Sequence, residues 1–142
     1  NQKYLIIFID IKMYFCTANL KIYMAKKIAK TNILLKNIIE IIKDAKGDEI
    51  ISLDLQRIES AICKYFVICT GTSSTHVNSI ENKIKKTISK EFGEKPSHCE
   101  GNKIGEWILM DYYDIIIHVF QEKTRKFYNI EDFWGDAKLT NY

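Results

Sequence analysis

The stretch that most constrains the fold is YFVICTGTSSTHV, residues 65–77, where an apolar run meets a glycine and then a helical pattern. The first five residues are aromatic, β-branched or small and apolar, which is typical of a buried strand, and Gly71 follows them. Over residues 77–92 apolar side chains recur at intervals of three and four, which predicts a helix capped by Ser73 or Ser74. The sequence therefore predicts a unit of strand, glycine turn and helix.

Hydrophobic periodicity and turn residues predict the other elements. In chain order these are a helix over residues 32–46 with Gly47 as its cap, a strand over 50–55, a connector over 56–62, strands at HCEG, EWILMD and DIIIHVF, a hairpin between the last two, and a short helix at IEDFW. A chain of 142 residues that is 46% hydrophobic suits one domain with a buried core. The predicted fold class is α/β (α+β), a single mixed β-sheet with flanking helices.

The first 23 residues differ in character from the rest. Their apolar run, residues 4–8, is too short for a membrane span, and neither the run nor its flanks match a secretory signal. Met24 reads as a natural start. We therefore predict an N-terminal extension over residues 1–23 that pairs as an extra strand or packs loosely, a domain over residues 24–138 and a tail over residues 139–142.

Charge is distributed unevenly along the chain, whose net charge is +3. Residues 1–46 hold nine Lys/Arg and three Asp/Glu, whereas residues 94–136 hold five and nine. An acidic back half attracts a basic protein and repels nucleic acid. The basic first half and the lysine face of the 77–92 helix leave a nucleic-acid module open as an alternative, beside ordinary solvated charge.

The cysteines do not predict a metal site or a disulfide framework. They stand at positions 16, 63, 69 and 99, and no two form a CxxC pair. Reduced thiols in a cytoplasmic protein, with no metal and no cofactor, are the expectation.

The Gly71–Ser74 turn is the strongest candidate for chemistry. Helix N-termini bind phosphates through unpaired backbone N–H groups, and the layout resembles that of nucleotidyltransferases. Those enzymes need paired carboxylates for divalent metals, but the following helix offers only Glu81, and no Asp-x-Asp or Glu-x-Glu occurs downstream. We therefore expect a nucleotidyltransferase-like fold without catalytic carboxylates, and no enzyme. The alternative is a nucleotidyltransferase-like enzyme or a nucleotide-binding protein that uses this turn.

Aromatic and acidic residues are concentrated near the C-terminus. Eight Trp, Tyr and Phe fall between residues 107 and 134, interspersed with carboxylates, and Trp and Tyr often anchor protein interfaces. Phe120 and Trp134 are assigned to the core, and Trp107 and Tyr112 are candidates for an interface. His118 lies within an apolar strand, where a hydrogen-bonded core or interface histidine is the usual role.

Three stretches together carry a family resemblance: KYFVICTGTSSTHV, EG…GEWILMDYYDIIIHVF and TRKFYNIEDFWGDA. With the 32–46 helix and the LDL strand they span about residues 24–138, and in combination they are highly specific. The chain resembles the ribosomal silencing factors, also called the Iojap-like family. The resemblance implies a translational repressor that binds the large ribosomal subunit through its fourteenth ribosomal protein and sterically blocks joining of the small subunit.

The resemblance also implies which residues contact that protein: Trp107, Leu109, Asp111, Tyr112, His118 and Tyr128. It leaves open neighbouring contacts with ribosomal RNA or protein, a homodimer in the free state, and a role in large-subunit assembly such as organellar relatives have. Two positions depart from the family pattern. Lys64 replaces the usual Asp before the YFV strand, so any contact made by that carboxylate is lost, and Tyr113 alters the usual Tyr-Gly-Asp hairpin.

Overall fold

A computed structural model describes the backbone of residues 2–142 and the side chains of residue 17 and residues 19–142. Its elements, in chain order, are α1 Gln2–Asp44, β1 Asp48–Asp54, β2 Tyr65–Gly71, α2 Ser74–Phe92, β3 His98–Glu100, β4 Trp107–Asp111, β5 Ile115–Gln121, α3 Glu122–Tyr128, α4 Ile130–Phe133 and β6 Lys138–Asn141. Every strand predicted from the sequence is present within one or two residues at each end.

The strands form one six-stranded sheet in the order β3-β4-β5-β2-β1-β6. β2 and β5 are parallel, and the other neighbours are antiparallel, so the predicted mixed sheet with flanking helices is confirmed. The two central strands are apolar along almost their whole length, as strands buried on both faces must be.

Residues 1–34 and residues 35–142 form two compact units. Residues 2–34 belong to α1, so the alternative of an extra strand over residues 1–23 and the expectation of a helix start at residue 32 were wrong. Thr31 does not cap a helix, because its hydroxyl donates to the Lys27 carbonyl oxygen over 3.1 Å, as a threonine inside a helix does. The alternative that residues 1–23 pack loosely concerns side chains of which residues 1–16 and 18 lie outside the described part.

The C-terminal end of α1 is a Schellman motif. Lys46 has a φ of 62° and its N–H donates to the Lys43 carbonyl, while the Gly47 N–H donates to the Ile42 carbonyl. The predicted cap was therefore one residue late, since Lys46 takes the left-handed position. Gly47 is needed for a different reason: a Cβ there would lie 2.5 Å from Ile42 Cγ2.

The N-cap predicted for α2 is confirmed, and the helix ends at a glycine. Ser73 is the N-cap, its side chain accepts from the His76 N–H over 3.1 Å, and Gly93 takes the left-handed position after the helix. Gly71 at the end of β2 allows the first turn of α2 to pack closely, because a Cβ there would lie 2.8 Å from Val77 Cγ2.

The predicted β4–β5 hairpin is also confirmed. The Tyr112 N–H donates to the Ile115 carbonyl over 2.9 Å, and Tyr113 stands at the turn with a φ of 64°. Lys64, which departs from the family pattern, forms an ion pair with Asp114, whose carboxylate lies 2.8 Å from its ammonium. Lys64 therefore has a partner in the residue that precedes β5, the strand beside β2 in the sheet.

Two elements were missed by the sequence analysis. α3 follows β5 without a break in the chain, and its seven residues are too few to show a helical period. β6 pairs with β1, although the sequence placed residues 139–142 in a tail. All four β6 residues are exposed, so the strand has no apolar pattern that would reveal it.

The two faces of the sheet are covered by different elements. The Cys99 thiol on β3 donates to Glu81 of α2 over 3.4 Å, so Cys99 and its register partner Met110 face α2. Side chains alternate along a strand, so residues 107, 109 and 111 of β4 point to the other face. The core on that other face consists of Ile51, Leu53, Leu55, Phe66, Ile68, Ile116 and Phe120.

No helix among the described residues is long and apolar enough to cross a membrane.

Candidate functional site

We call one surface on the face of the sheet opposite α2 the open face. It is formed by Trp107, Leu109 and Asp111 of β4 and by His118 and Phe120 of β5. The strand register places Trp107 opposite Phe120 and Leu109 opposite His118. The three β4 residues are half-buried, and the two β5 residues are buried. Four of the six predicted contact residues are therefore brought together on one surface.

His118 is the polar centre of the open face. Its Nδ1 accepts a hydrogen bond from the Trp107 indole N–H over 3.1 Å, which places the proton of the neutral ring on Nε2. Nε2 is buried and has no hydrogen-bond partner among the described residues. Burial lowers the pKa of His118 from 6.5 to about 4, so the ring is neutral at physiological pH. The expectation of a hydrogen-bonded core or interface histidine is confirmed.

Aromatic rings extend the open face towards α3. Trp107 stacks on Phe120 with centroids 4.8 Å apart, and its other neighbour is Tyr128 of α3 at 4.9 Å. Tyr128 in turn meets Phe127 edge-to-face at 5.0 Å. Phe120 is fully buried, as predicted, whereas Tyr128 is 53% exposed and Phe127 is 79% exposed. The predicted residue Tyr128 therefore belongs to the same surface as Trp107.

Carboxylates border this apolar strip on its β3 side. The register pairs Glu100 with Leu109 and His98 with Asp111, and the Glu100 carboxylate and the His98 ring are 2.7 Å apart. Asp111 Oδ1 also accepts from the Tyr113 N–H over 2.7 Å, which fixes the carboxylate beside the hairpin. The open face thus has an aromatic and aliphatic centre and an acidic edge.

Tyr112 does not belong to the open face, and its assignment as an exposed interface residue was wrong. Only 3% of its surface is exposed, because it follows Asp111 and alternation turns it towards α2. Burial, with Cys99 and Glu81 nearby, raises the pKa of its phenol. Tyr112 is a core residue that packs the end of β4.

Arg125 fixes the short helix that carries Tyr128. The guanidinium is buried, its Nε donates to Glu131 over 2.7 Å, and its Nη1 donates to the Glu49 carbonyl and the Thr70 hydroxyl over 2.7 and 2.9 Å. These bonds join α3 to α4, β1 and β2. Within the TRKFY motif, the buried arginine therefore holds the helix that presents Phe127 and Tyr128.

The Gly71–Ser74 turn is occupied by the chain's own groups. The Thr72 N–H donates to His76 Nδ1 over 3.0 Å, and His76 Nε2 lies 2.8 Å from the Ala45 carbonyl oxygen. The Thr72 N–H of the turn and the His76 N–H in the first turn of α2 are therefore bonded to side chains. No group of three or more metal-ligating side chains occurs among the described residues. The geometry favours a scaffold over a phosphate cradle.

The described cysteines are unsuited to nucleophilic chemistry. Burial raises the pKa of Cys63 to about 11 and that of Cys69 to about 12. Burial and the Glu81 carboxylate raise the pKa of Cys99 to about 11. A thiol with such a pKa stays protonated at neutral pH.

Glu100 and Phe127 are surface residues of this region that the sequence prediction did not select. Phe127 stands among the clustered aromatics, but only the α3 helix shows that it projects beside Tyr128. The position of Glu100 beside Leu109 is set by the β3–β4 register. No turn motif between the two strands predicts that register.

The sequence comparisons with known proteins all indicate the same family. The family described as "Ribosomal silencing factor during starvation" matches residues 28–142. The chain is 35% identical over 104 residues to a ribosomal silencing factor of Halalkalibacterium halodurans, covering 73% of this chain and 87% of the relative. It is 37% identical over 98 residues to the one of Bacillus subtilis, covering 69% and 81%. A crystal structure of a Chromobacterium violaceum protein superposes with a TM-score of 0.69 at 34% identity, covering 73% of this chain and 85% of that one.

Proposed function

The chain belongs to the ribosomal silencing factor family, and on that premise we propose that it binds the large ribosomal subunit through the open face and blocks joining of the small subunit. The proposed partner on the large subunit is its fourteenth ribosomal protein. The proposed contact residues are Trp107, Leu109, Asp111, His118 and Tyr128, with Glu100 and Phe127 at the border.

The observation that carries the proposal is an apolar strip with an acidic edge on the sheet face opposite α2, where Trp107, Leu109 and Tyr128 stay partly exposed beside the short helices α3 and α4. Trp107, Leu109 and Tyr128 supply partly exposed anchors of the kind that dominate protein interfaces. Glu100 and Asp111 supply negative charge, which favours a basic partner such as a ribosomal protein. Rigid strands and the bonds of Arg125 hold these groups in place before binding, which lowers the entropy lost on association.

The mechanism is steric. A factor seated on the joining surface of the large subunit occupies volume that the small subunit needs, so subunit association is prevented without any bond being made or broken. The relatives are named as silencing factors, which are regulators, and this mechanism requires neither a nucleophile nor a metal.

Co-sedimentation with isolated large subunits tests the contact. Tyr128→Ala is the informative variant, because the side chain is half-exposed and makes no hydrogen bond to the core that its removal would break. We expect its dissociation constant to rise by at least tenfold, as for truncation of an aromatic anchor. Tyr23→Ala, which removes a tyrosine that is 63% exposed on α1, is the matched control.

A subunit-joining assay then tests the consequence. Wild type and the Tyr23 variant should reduce the yield of joined ribosomes, and the Tyr128 variant should reduce it less. The proposal is wrong if the protein does not sediment with large subunits, or if Tyr128→Ala sediments and inhibits joining as wild type does.

A further inference from the structure

A cleft rich in lysine lies between α2 and the segment that leads into β3. It is lined by Asn82, Lys85, Lys86, Ser89, Lys95, Pro96 and Cys99. The lining thus contains three ammonium groups, a side-chain amide and a hydroxyl, and no carboxylate. Concave sites with several cationic donors and no anionic side chain favour anions.

One ammonium group of the cleft is held in place by a buried carboxylate. Lys85 Nζ lies 2.9 Å from Glu81 Oε1, and Glu81 is only 2% exposed. The hydrogen bond to Glu81 raises the pKa of Lys85, so the lysine stays charged. The same Glu81 oxygen accepts the Cys99 thiol over 3.4 Å, so the carboxylate is turned to its own partners beneath the cleft.

The other two ammonium groups have no such partner. Lys86 and Lys95 are exposed and form no salt bridge with any residue of the described chain. Glu91, the next acidic residue of α2, follows Asn82 by two and a half helical turns and so lies on the opposite side of the helix. Glu81 therefore balances Lys85, but no acidic residue of α2 balances the charges of Lys86 and Lys95.

We propose that this cleft binds the phosphodiester backbone of RNA. The choice of RNA rests on the proposed function, because a factor bound to a ribosomal subunit stands beside an RNA surface. The cleft contains no aromatic ring on which a base could stack, and its three lysines present point charges that suit phosphate groups. Binding is thus independent of RNA sequence and falls steeply with salt.

The position of the cleft allows both contacts at once. α2 packs on the face of the sheet to which Cys99 points, and the open face lies on the other side. A protein partner on the open face therefore leaves the lysine cleft accessible to RNA.

Fluorescence anisotropy of the full chain with a fluorescein-labelled, single-stranded RNA of about 20 nucleotides tests the proposal over a KCl series. The test variant is Lys86→Gln with Lys95→Gln. We expect its affinity to fall by about tenfold at low salt, with a salt slope smaller by about two, and the same loss for a second RNA of unrelated sequence. The charge-matched control is Lys26→Gln with Lys27→Gln on α1, which should bind within about twofold of wild type.

Three results would overturn the proposal: no RNA binding by wild type at low salt, equal binding by the Lys86/Lys95 variant and wild type, or loss of binding in the Lys26/Lys27 variant alone. Naked RNA is measured without ribosomes, so failure here leaves the co-sedimentation result standing. Conversely, loss of co-sedimentation with intact RNA binding would reject the open-face contact and keep the cleft.

Discussion

The Trp107 indole N–H donates to His118 Nδ1 over 3.1 Å, and this bond joins β4 to β5 across the open face. The two residues are diagonal neighbours in the strand register, where Trp107 is opposite Phe120 and His118 is opposite Leu109. The bond requires His118 Nδ1 to be an acceptor. The surface proposed to meet the ribosome therefore depends on a neutral imidazole.

The stability of the fold should fall in mild acid because of His118. Its pKa is about 4 in the folded protein and 6.5 in an unfolded chain, so the unfolded state binds the proton first as pH falls. The contribution of the neutral ring is complete above about pH 6.5 and is lost as pH falls towards 4. Urea unfolding should show wild type losing roughly 2 kcal/mol more than His118→Phe between pH 7 and pH 5.

The His118→Phe variant is the control for that measurement, because all other titrating groups are shared. Equal pH dependence of the two proteins would show that His118 has an ordinary pKa, contrary to its burial.

Gly101 should be among the least replaceable residues of the chain. It has a φ of 90°, and a Cβ there would lie 1.8 Å from the Trp107 carbonyl oxygen. We expect Gly101→Ala to lower the free energy of unfolding by roughly 3 kcal/mol, since a backbone atom blocks the methyl. Gly93→Ala is the matched control: its φ is 66°, nothing lies within 4 Å of the added Cβ, and it should cost only about 1 kcal/mol. Equal costs in thermal or urea unfolding would reject the steric argument.

At position 113 in the hairpin, glycine should give a more stable protein than alanine. It is 74% exposed and has a φ of 64°, where a side chain is disfavoured and glycine is not. Tyr113→Gly should therefore be more stable than Tyr113→Ala by about 1 kcal/mol in urea unfolding, because both lose the ring and only glycine relieves the backbone. An alanine variant as stable as the glycine variant would contradict this explanation.

The Lys64–Asp114 ion pair should contribute a modest coupling energy. The two side chains are 27% and 25% exposed, and Nζ and Oδ2 are 2.8 Å apart. A double-mutant cycle with Lys64→Met and Asp114→Asn should give about 1 kcal/mol, decreasing in high salt. Coupling below about 0.2 kcal/mol at low salt would show that the ion pair does not contribute to stability.

The sequence predicted those elements whose apolar pattern matches the way they are buried in the fold. β2, α2 and the β4–β5 hairpin have a complete apolar pattern and recognisable caps or turns, and they lie where the pattern placed them. α3 and β6 were not predicted. α3 is a single short helix, and β6 is exposed along its whole length. The start of α1 was misplaced, since the helix continues through Thr31, whose hydroxyl donates to the Lys27 carbonyl oxygen one turn earlier.

The open face was likewise only partly predictable from the sequence. The sequence by itself determined the residue types, the motifs that identify the family and the alternation that puts Trp107, Leu109 and Asp111 on one side of a strand. Only the tertiary structure decided that His118 and Tyr128 join them, through the antiparallel β4–β5 register and the buried Arg125, and that Tyr112 faces α2. The physical reason is that alternation is a local property of the backbone, whereas strand register and helix placement depend on contacts between distant parts of the chain.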